Sequence, residues 1–294
     1  MRKVFELTMA GLAVGSIYAL LALGYVLVYK STKVFNLAQG SLVLIGAYLA
    51  FALSEKGVPI LLAIIISIFV NFLLGFVVEK LFLRPMLGKP LPSLLLLTIG
   101  LMETVKGVVG MIFGNWPKLY PPVFPAGNLN LFGKDIALTY VFVAAASLIL
   151  YAVFIWFYQK SSLGLNMRAV ATNQDRASLM GINVKRVFAL SWGFAGVVGA
   201  IGGAFLAALL FLNLTLDLFA FRALPAALLG GVDSVLGALV GGLILGLAES
   251  VIAGGVFDPL LGGGTKEVFG YLVMLAVLFI RPYGLFGTEE IERL

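Results

Sequence analysis

The sequence contains no cysteine and no histidine. Without cysteine there are no disulfides and no thiolate chemistry, and without histidine there is no histidine proton relay and no zinc or haem site built from these ligands. Charged residues are also scarce, at 12% of 294 residues, against about 25% in soluble domains. So little charge leaves too little polar surface for a soluble fold, which indicates a membrane protein.

The apolar residues are arranged in continuous runs of about 20 residues, the length that crosses about 30 Å of hydrocarbon as a helix. The apolar residues do not form the alternating ten-residue segments that are typical of a membrane β-barrel. We therefore predict one all-α polytopic transmembrane domain over 1–294, with eight or nine crossings. The predicted spans are 5–29, 35–54, 58–82, 93–113, 136–158 and 188–211, a composite region at 220–253, and 267–280. The first run is too long for a signal peptide and predicts a retained helix.

The composite region contains a short apolar piece, a glycine break at Gly230-Gly231 and then a polar pair, Asp233-Ser234. This pattern predicts a discontinuous helix. Non-helical backbone at membrane depth is tolerated only where it is buried in protein or lines a wet cavity, so these four residues are candidates for the wall of a translocation path. The alternative is a tight turn between two close-packed helices.

A second polar group, Asn36, Gln39 and Ser41, lies just before or inside the second span. The two amides are three residues apart at a helix start. Amides can donate to a carboxylate and accept from an ammonium group without carrying net charge, which suits a path for a zwitterion. The alternative is capping of a helix at the bilayer surface.

Residues 160–187 form the longest non-hydrophobic segment, with one acid and five basic residues: Asp175, and Lys160, Arg168, Arg176, Lys185 and Arg186. Small and apolar residues recur there at helical spacing, at Ala169, Ala177 and Met180. This pattern favours a helix that docks in a groove of a soluble partner. A solvated loop is one alternative. Binding of anionic lipid is another, although it typically needs a denser basic cluster.

Orientation follows from the rule that cytoplasmic loops are rich in Lys and Arg. Placing 160–187 inside puts the 114–135 loop outside and predicts a cytoplasmic C-terminus if the 220–232 piece crosses. Arg2 and Lys3 are then outside, against the rule, unless an early span is re-entrant.

Two ionisable residues within the fourth span, Glu103 and Lys106, are separated by one helical turn and are predicted to pair with each other. Glu103 is the one deep acid that could serve a proton-driven carrier. A stand-alone carrier also predicts inverted repeats with matching broken helices. The sequence displays one broken region and no convincing repeat, which argues against that class.

The chain has no nucleotide-binding motif. The nearest candidate, Gly127 to Asp135, has the wrong glycine spacing and an Asp in place of the magnesium-binding Ser or Thr. We therefore predict a transporter subunit that is not itself an enzyme, with no cofactor and no metal bound by this chain.

Four stretches, at 11–48, 162–187, 222–250 and 281–287, together resemble permease subunits of the branched-chain amino acid family of ABC importers. The resemblance covers nearly the whole chain. It implies half of a translocation path for branched-chain or related neutral amino acids in the bacterial cytoplasmic (inner) membrane. Urea or short amides are alternative substrates, and a stand-alone carrier or channel is the alternative class. Asp233 departs from the small residue expected there.

The resemblance also implies the partners: a second homologous permease, two cytoplasmic ATP-binding subunits that use ATP, a periplasmic substrate-binding protein and the lipid bilayer, with no nucleic acid. It implies that 164–182 is a coupling helix seated on an ATP-binding subunit. We expect Arg168, Asp175 and Met180 to contact that subunit and Gly181 to end the helix. The predicted coupling residues are Gly164, Arg168, Ala169, Asp175, Ala177, Met180 and Gly181.

Overall fold

A computed structural model describes residues 2–125, 127–131 and 134–288. Gly133 and the side chains of Arg2 and Lys3 lie outside the described residues. Within them the chain forms twelve α-helices: α1 (Arg2–Thr32), α2 (Gln39–Glu55), α3 (Ile60–Val78), α4 (Leu91–Phe113), α5 (Leu138–Lys160), α6 (Ser162–Thr172), α7 (Gln174–Leu179), α8 (Val184–Leu209), α9 (Leu216–Gly230), α10 (Val235–Leu247), α11 (Asp258–Leu261) and α12 (Thr265–Ile280).

Among the described residues, six helical segments are long and apolar enough to cross a membrane: Val4–Thr32, Ile60–Met86, Leu91–Phe113, Leu138–Lys160, Val184–Leu209 and Val235–Leu261. Three shorter helices, α2, α9 and α12, have 17, 15 and 16 residues and are about 23–26 Å long. Together these nine agree with the predicted eight or nine crossings, and the prediction of a polytopic all-α membrane protein is confirmed.

The helix ends divide into two groups, and most basic residues belong to one of them. Arg84, six residues beyond the end of α3, donates to the Lys185 carbonyl in the first turn of α8, and Gln174 donates to the Ser31 carbonyl of α1. We call this end of the bundle the basic end. It carries Lys30, Lys33, Lys80, Arg84, Lys89, Lys160, Arg168, Arg176, Lys185, Arg186 and Arg281. The distribution agrees with the predicted inward orientation of the 160–187 segment.

The second helix begins inside the bundle. Residues 33–38 leave α1 at the basic end without helical structure, and α2 begins at Gln39. The Gln39 amide donates to the Ala195 carbonyl at 3.0 Å, about 17 Å along α8 from its first residue. The predicted span 35–54 therefore starts later than expected, because its first residues form a buried connection that returns into the interior.

The ninth helix begins inside the bundle as well, from the opposite end. Lys118 and Leu212 exchange two backbone hydrogen bonds in the loops beyond α4 and α8. Residues 210–215 then return inward, and the start of α9 meets the start of α2 so closely that a Cβ on Gly40 would lie 2.7 Å from the Asp217 carbonyl oxygen. Two half-helices thus start next to each other in the interior.

The break predicted at Gly230-Gly231 is present, but the pieces on either side are not collinear. Gly231, with φ +106°, ends α9, and Ser234 caps α10 by accepting a hydrogen bond from the Gly237 amide. Any side chain on Gly237 would collide with the Gly230 backbone, so α9 and α10 form a tight antiparallel hairpin. The alternative of a tight turn between close-packed helices is therefore the observed arrangement, because the glycines let the two backbones touch.

The same packing occurs in both halves of the chain, with the direction reversed. Helix α1 packs antiparallel to α8 and α10, while α8 packs antiparallel to α1 and α3. Half-helix α2 lies along α8, and half-helix α9 lies along α1. The α1–α3 and α8–α10 units are thus an inverted structural repeat, and the expectation that no repeat was present is corrected.

Each unit ends in a π-helical segment, Glu79–Leu83 after α3 and Ala248–Phe257 after α10, and each segment begins near a buried acid. The Glu79 carboxylate accepts two hydrogen bonds from Arg84, at 3.1 and 2.6 Å. The Glu249 carboxylate accepts one from the Tyr18 hydroxyl at 3.0 Å. These hydrogen bonds explain how both carboxylates are stabilised in buried positions.

The loop after α4 contains a small antiparallel hairpin, β1 (Asn128–Leu131) and β2 (Lys134–Ala137), in which Leu129 faces Ile136. The sequence analysis did not predict these strands. They lie at the end of the bundle opposite the basic end.

Candidate functional site

The predicted coupling segment is two helices, α6 and α7, and not the single helix expected over 164–182. Asn173 separates them: its amide donates to the Ala169 carbonyl at the end of α6, and its side chain accepts from the Arg176 amide at the start of α7. Asparagine is among the best N-cap residues, so this helix boundary could have been predicted from the sequence.

Gly181 ends α7, as predicted. It has φ +83°, its amide donates to the Ser178 carbonyl, and the following Ile182 amide donates to the Ala177 carbonyl. This pair of hydrogen bonds is a Schellman motif, which favours glycine because of the left-handed conformation.

Helix α6 is fixed to the end of α5. Gly164 is buried, and a Cβ at this position would collide with the Tyr158 carbonyl oxygen. The Arg168 guanidinium donates to the same carbonyl and lies 5.7 Å from the centre of the Tyr158 ring. Arg168 is therefore an anchor of α6, and its contact with a partner subunit stays a prediction.

The outer surface of α6 and α7 is open. Ala177 is buried against the bundle and Asp175 is exposed. Met180 is 83% exposed, and the neighbouring Leu179, which the sequence analysis overlooked, is 87% exposed. A shallow cavity of about 280 Å³ runs beside them, lined by Ala169, Thr172, Asn173, Arg176, Ala177, Met180 and Ile182. Two apolar side chains stand beside a groove at the basic end.

The residues suggested for the path fall into two separate groups. Asn36, Gln39 and Ser41 are buried at the start of α2, and the Asn36 amide donates to Gln39 Oε1 at 3.2 Å. Gly230, Gly231, Asp233 and Ser234 lie at the other end of α9, about 20 Å from the α2 start. The structure does not bring the two groups together, and their role in a path stays a prediction.

Lys106 pairs with Asp217, not with Glu103. Its ammonium lies 2.9 Å from Asp217 Oδ2, which joins α4 to the start of α9. Asp217 is completely buried, whereas the Lys106 side chain is 28% exposed. Glu103 is exposed on the outer face of α4. The sequence analysis recognised Glu103 and Lys106 as ionisable groups within a span, but local spacing rules could not identify the partner on α9.

The chain was compared with known proteins. Residues 7–280 match the family described as branched-chain amino acid transport system / permease component. The high-affinity branched-chain amino acid transport system permease protein BraD of Pseudomonas aeruginosa is 30% identical over 96% of this chain and 95% of its own length. LivH of Escherichia coli, with the same description, is 28% identical over 96% and 95%. A probable branched-chain amino acid transport permease protein LivH of Methanocaldococcus jannaschii is 30% identical over 93% and 90%.

The family match spans the bundle from α1 to the end of α12, so it includes both inverted units and the α6–α7 segment. The chain belongs to the permease component family of branched-chain amino acid transport systems.

Proposed function

We propose that this chain forms half of the translocation path of an ATP-driven importer for branched-chain or related neutral amino acids in the bacterial cytoplasmic membrane. A second homologous permease completes the path, two ATP-binding subunits drive it, and a periplasmic binding protein delivers the substrate. The family and the relatives' names support the substrate class. ATP is hydrolysed by the partner subunits.

The observation that carries this proposal is the exposed pair Leu179 and Met180 at the tip of α7. Burying a large apolar side chain contributes about 1.5–3 kcal/mol, so two of them exposed at a polar end favour a binding surface. The adjoining groove and the exposed Asp175 complete a surface suited to a soluble subunit.

The attachment of the surface to the bundle supports a role in transmitting motion. Helix α6 is locked to α5 through Gly164 and Arg168, and α7 is tied to α1 by the hydrogen bond from Gln174 to the Ser31 carbonyl at 2.8 Å. A displacement of α6 and α7 is therefore passed to α1 and α5 directly.

The outer face of α4 has features that favour contact with a second membrane subunit. Glu103 lies near the middle of this 23-residue helix and is exposed, next to Gly100 and Gly107, whose surroundings are open. A carboxylate facing lipid at mid-depth is costly, so this face is better suited to protein or to water. Small residues beside it allow another helix to approach closely.

At the end opposite the basic end, Trp116 and Leu119 are 84% and 80% exposed in the loop after α4. These side chains are suited to contact a soluble substrate-binding protein. Aromatic residues are enriched at the centres of protein interfaces.

The proposal is tested by the double substitution Leu179→Asp and Met180→Asp. Because both side chains are solvent-exposed, the bundle should fold normally. We expect the ATP-binding subunits to be lost on co-purification in mild detergent, and ATP-driven uptake of leucine into proteoliposomes to fall at least tenfold.

Lys185→Ala is the matched control, because this exposed side chain lies on the same segment outside the groove. It should leave both measurements unchanged. Retention of the ATP-binding subunits and of uptake in the double Asp variant would refute docking through α7.

A further inference from the structure

Besides the groove beside α7, the basic end contains a polar cavity. It lies between the ends of α1 and α5, helix α6 and the α9–α10 turn. Its volume is about 440 Å³. Three cationic side chains line it, Lys30, Lys33 and Arg168, together with one acid, Asp233. The fold thus gathers residues from three distant stretches of sequence into one basic pocket.

Two of these cations donate their hydrogen bonds to neutral backbone carbonyls. Lys30 Nζ donates to the backbone carbonyl of Asp233 at 2.6 Å, and Arg168 donates to the backbone carbonyl of Tyr158. Carbonyl oxygens are neutral, and each cation has further N–H donors. Within the described part of the chain, neither Lys30 nor Arg168 forms an ion pair.

The Asp233 carboxylate is already engaged. It accepts hydrogen bonds from the Thr288 amide, at 3.2 Å to Oδ2, and from the Thr288 hydroxyl. These contacts hold the segment after α12 against the α9–α10 turn, and they direct the acid toward Thr288. The described side chains lining the pocket therefore carry three positive charges against one negative charge.

An adjoining cavity of about 330 Å³ shares Lys30, Arg168 and Asp233 but has an apolar wall, formed by Ile155, Val235 and Leu236. These apolar residues belong to the last turns of α5 and the first turn of α10, and Leu236 is 53% exposed. A polar, cationic floor therefore continues into an apolar groove at the level where the helices leave the membrane.

We propose that these joined cavities bind an anionic phospholipid of the inner leaflet, with its phosphate between Lys30 and Arg168 and its glycerol and first methylenes against Leu236. Basic pockets between transmembrane helices on the cytoplasmic side suit such headgroups. The 160–187 segment alone is too sparsely basic for lipid binding, and Lys30 and Lys33 from α1 supply the missing density. The site uses the inward orientation of the basic end, and lipid binding to it is measured without ATP-driven transport.

The test is native mass spectrometry of the full chain purified in mild detergent and incubated with phosphatidylglycerol or with phosphatidylcholine of the same acyl chains. We expect phosphatidylglycerol to be retained preferentially. Each basic residue near a membrane surface contributes about fivefold in affinity, so Lys33→Gln should weaken binding about fivefold, and Lys30→Gln with Lys33→Gln about 30-fold.

Lys56→Gln is the matched control, because this exposed lysine lies between α2 and α3 at the opposite end of the bundle. It should bind phosphatidylglycerol like the wild type. Equal retention of the two lipids would overturn the proposal, as would equal binding by the control and the double variant. Displacement of the lipid by 10 mM inorganic phosphate would show that a free anion is the ligand and would also overturn it. Transport is not a readout, so this test fails or succeeds separately from the importer assignment.

Discussion

Replacing Lys106 with methionine should destabilise the protein more than replacing Asp217 with asparagine, although both changes break the same ion pair. The two groups are 2.9 Å apart, which corresponds to a gross attraction of about 6 kcal/mol at an effective dielectric constant of about 20. Desolvation offsets part of that attraction. Removing one partner of a buried pair nevertheless costs about 3–5 kcal/mol, because the remaining charge is buried without compensation.

The asymmetry comes from burial. Asp217 is completely buried, so Lys106→Met leaves a carboxylate with no route to water, and we expect the full cost of about 3–5 kcal/mol. The Lys106 side chain is 28% exposed and can extend toward the surface, so Asp217→Asn should cost only about 1–2 kcal/mol. The double variant should be more stable than Lys106→Met alone.

The assay is reversible unfolding of the purified chain in mixed micelles with increasing dodecyl sulfate, followed by circular dichroism. The two single variants and the double variant form a cycle whose coupling energy should be about 2–3 kcal/mol. Glu103→Gln is the control, since Glu103 is the partner expected from sequence spacing, and it should leave the unfolding free energy unchanged. Additive single costs, or a cost for Glu103→Gln that disappears in the Lys106→Met background, would refute the pairing across α4 and α9.

Two further predictions concern glycines. Gly164→Val should detach α6 from α5, because any Cβ collides with the Tyr158 carbonyl. The permease should then no longer stimulate ATP hydrolysis by the ATP-binding subunits, while its circular dichroism is unchanged. Normal stimulation would contradict this anchor. Gly203→Ala should destabilise the bundle by about 1–3 kcal/mol or more, because the methyl group meets the Val43 backbone. Gly107→Ala, on an open face, is the control and should be neutral in the same dodecyl sulfate titration. Equal effects of the two substitutions would contradict the close packing of α2 on α8.

The spans were predictable because hydropathy is a local property. The boundaries of α4 and α12 differ from the predicted 93–113 and 267–280 by two residues or fewer. The Gly181 helix end was predictable for the same reason, since a left-handed C-terminal residue favours glycine in any context. Local rules are sufficient where the bilayer or the backbone alone decides the structure.

The inward starts of α2 and α9 were not predictable, because they depend on surfaces far away in sequence. Gln39 is held by the Ala195 carbonyl, 156 residues further along the chain. Hydropathy alone does not distinguish a buried connection from a helical span, since both are apolar. The same holds for Lys106, whose spacing to Glu103 suggested a local pair while its actual partner came from another helix.

The inverted repeat alters how the competing functions are distinguished. Matching broken helices were expected of a stand-alone carrier, yet this member of a permease component family has them as well, so they do not separate the classes. The packing where the half-helices meet does bear on the question. Asn36, Gln39 and Asp217 are fully buried there, and Gly40 touches the Asp217 backbone, so a solute passing between the two helix starts would have to force them apart. A path along the outer surface of the bundle, shared with a second permease, avoids that cost. The face of α4 that carries Glu103 is the candidate for such a path.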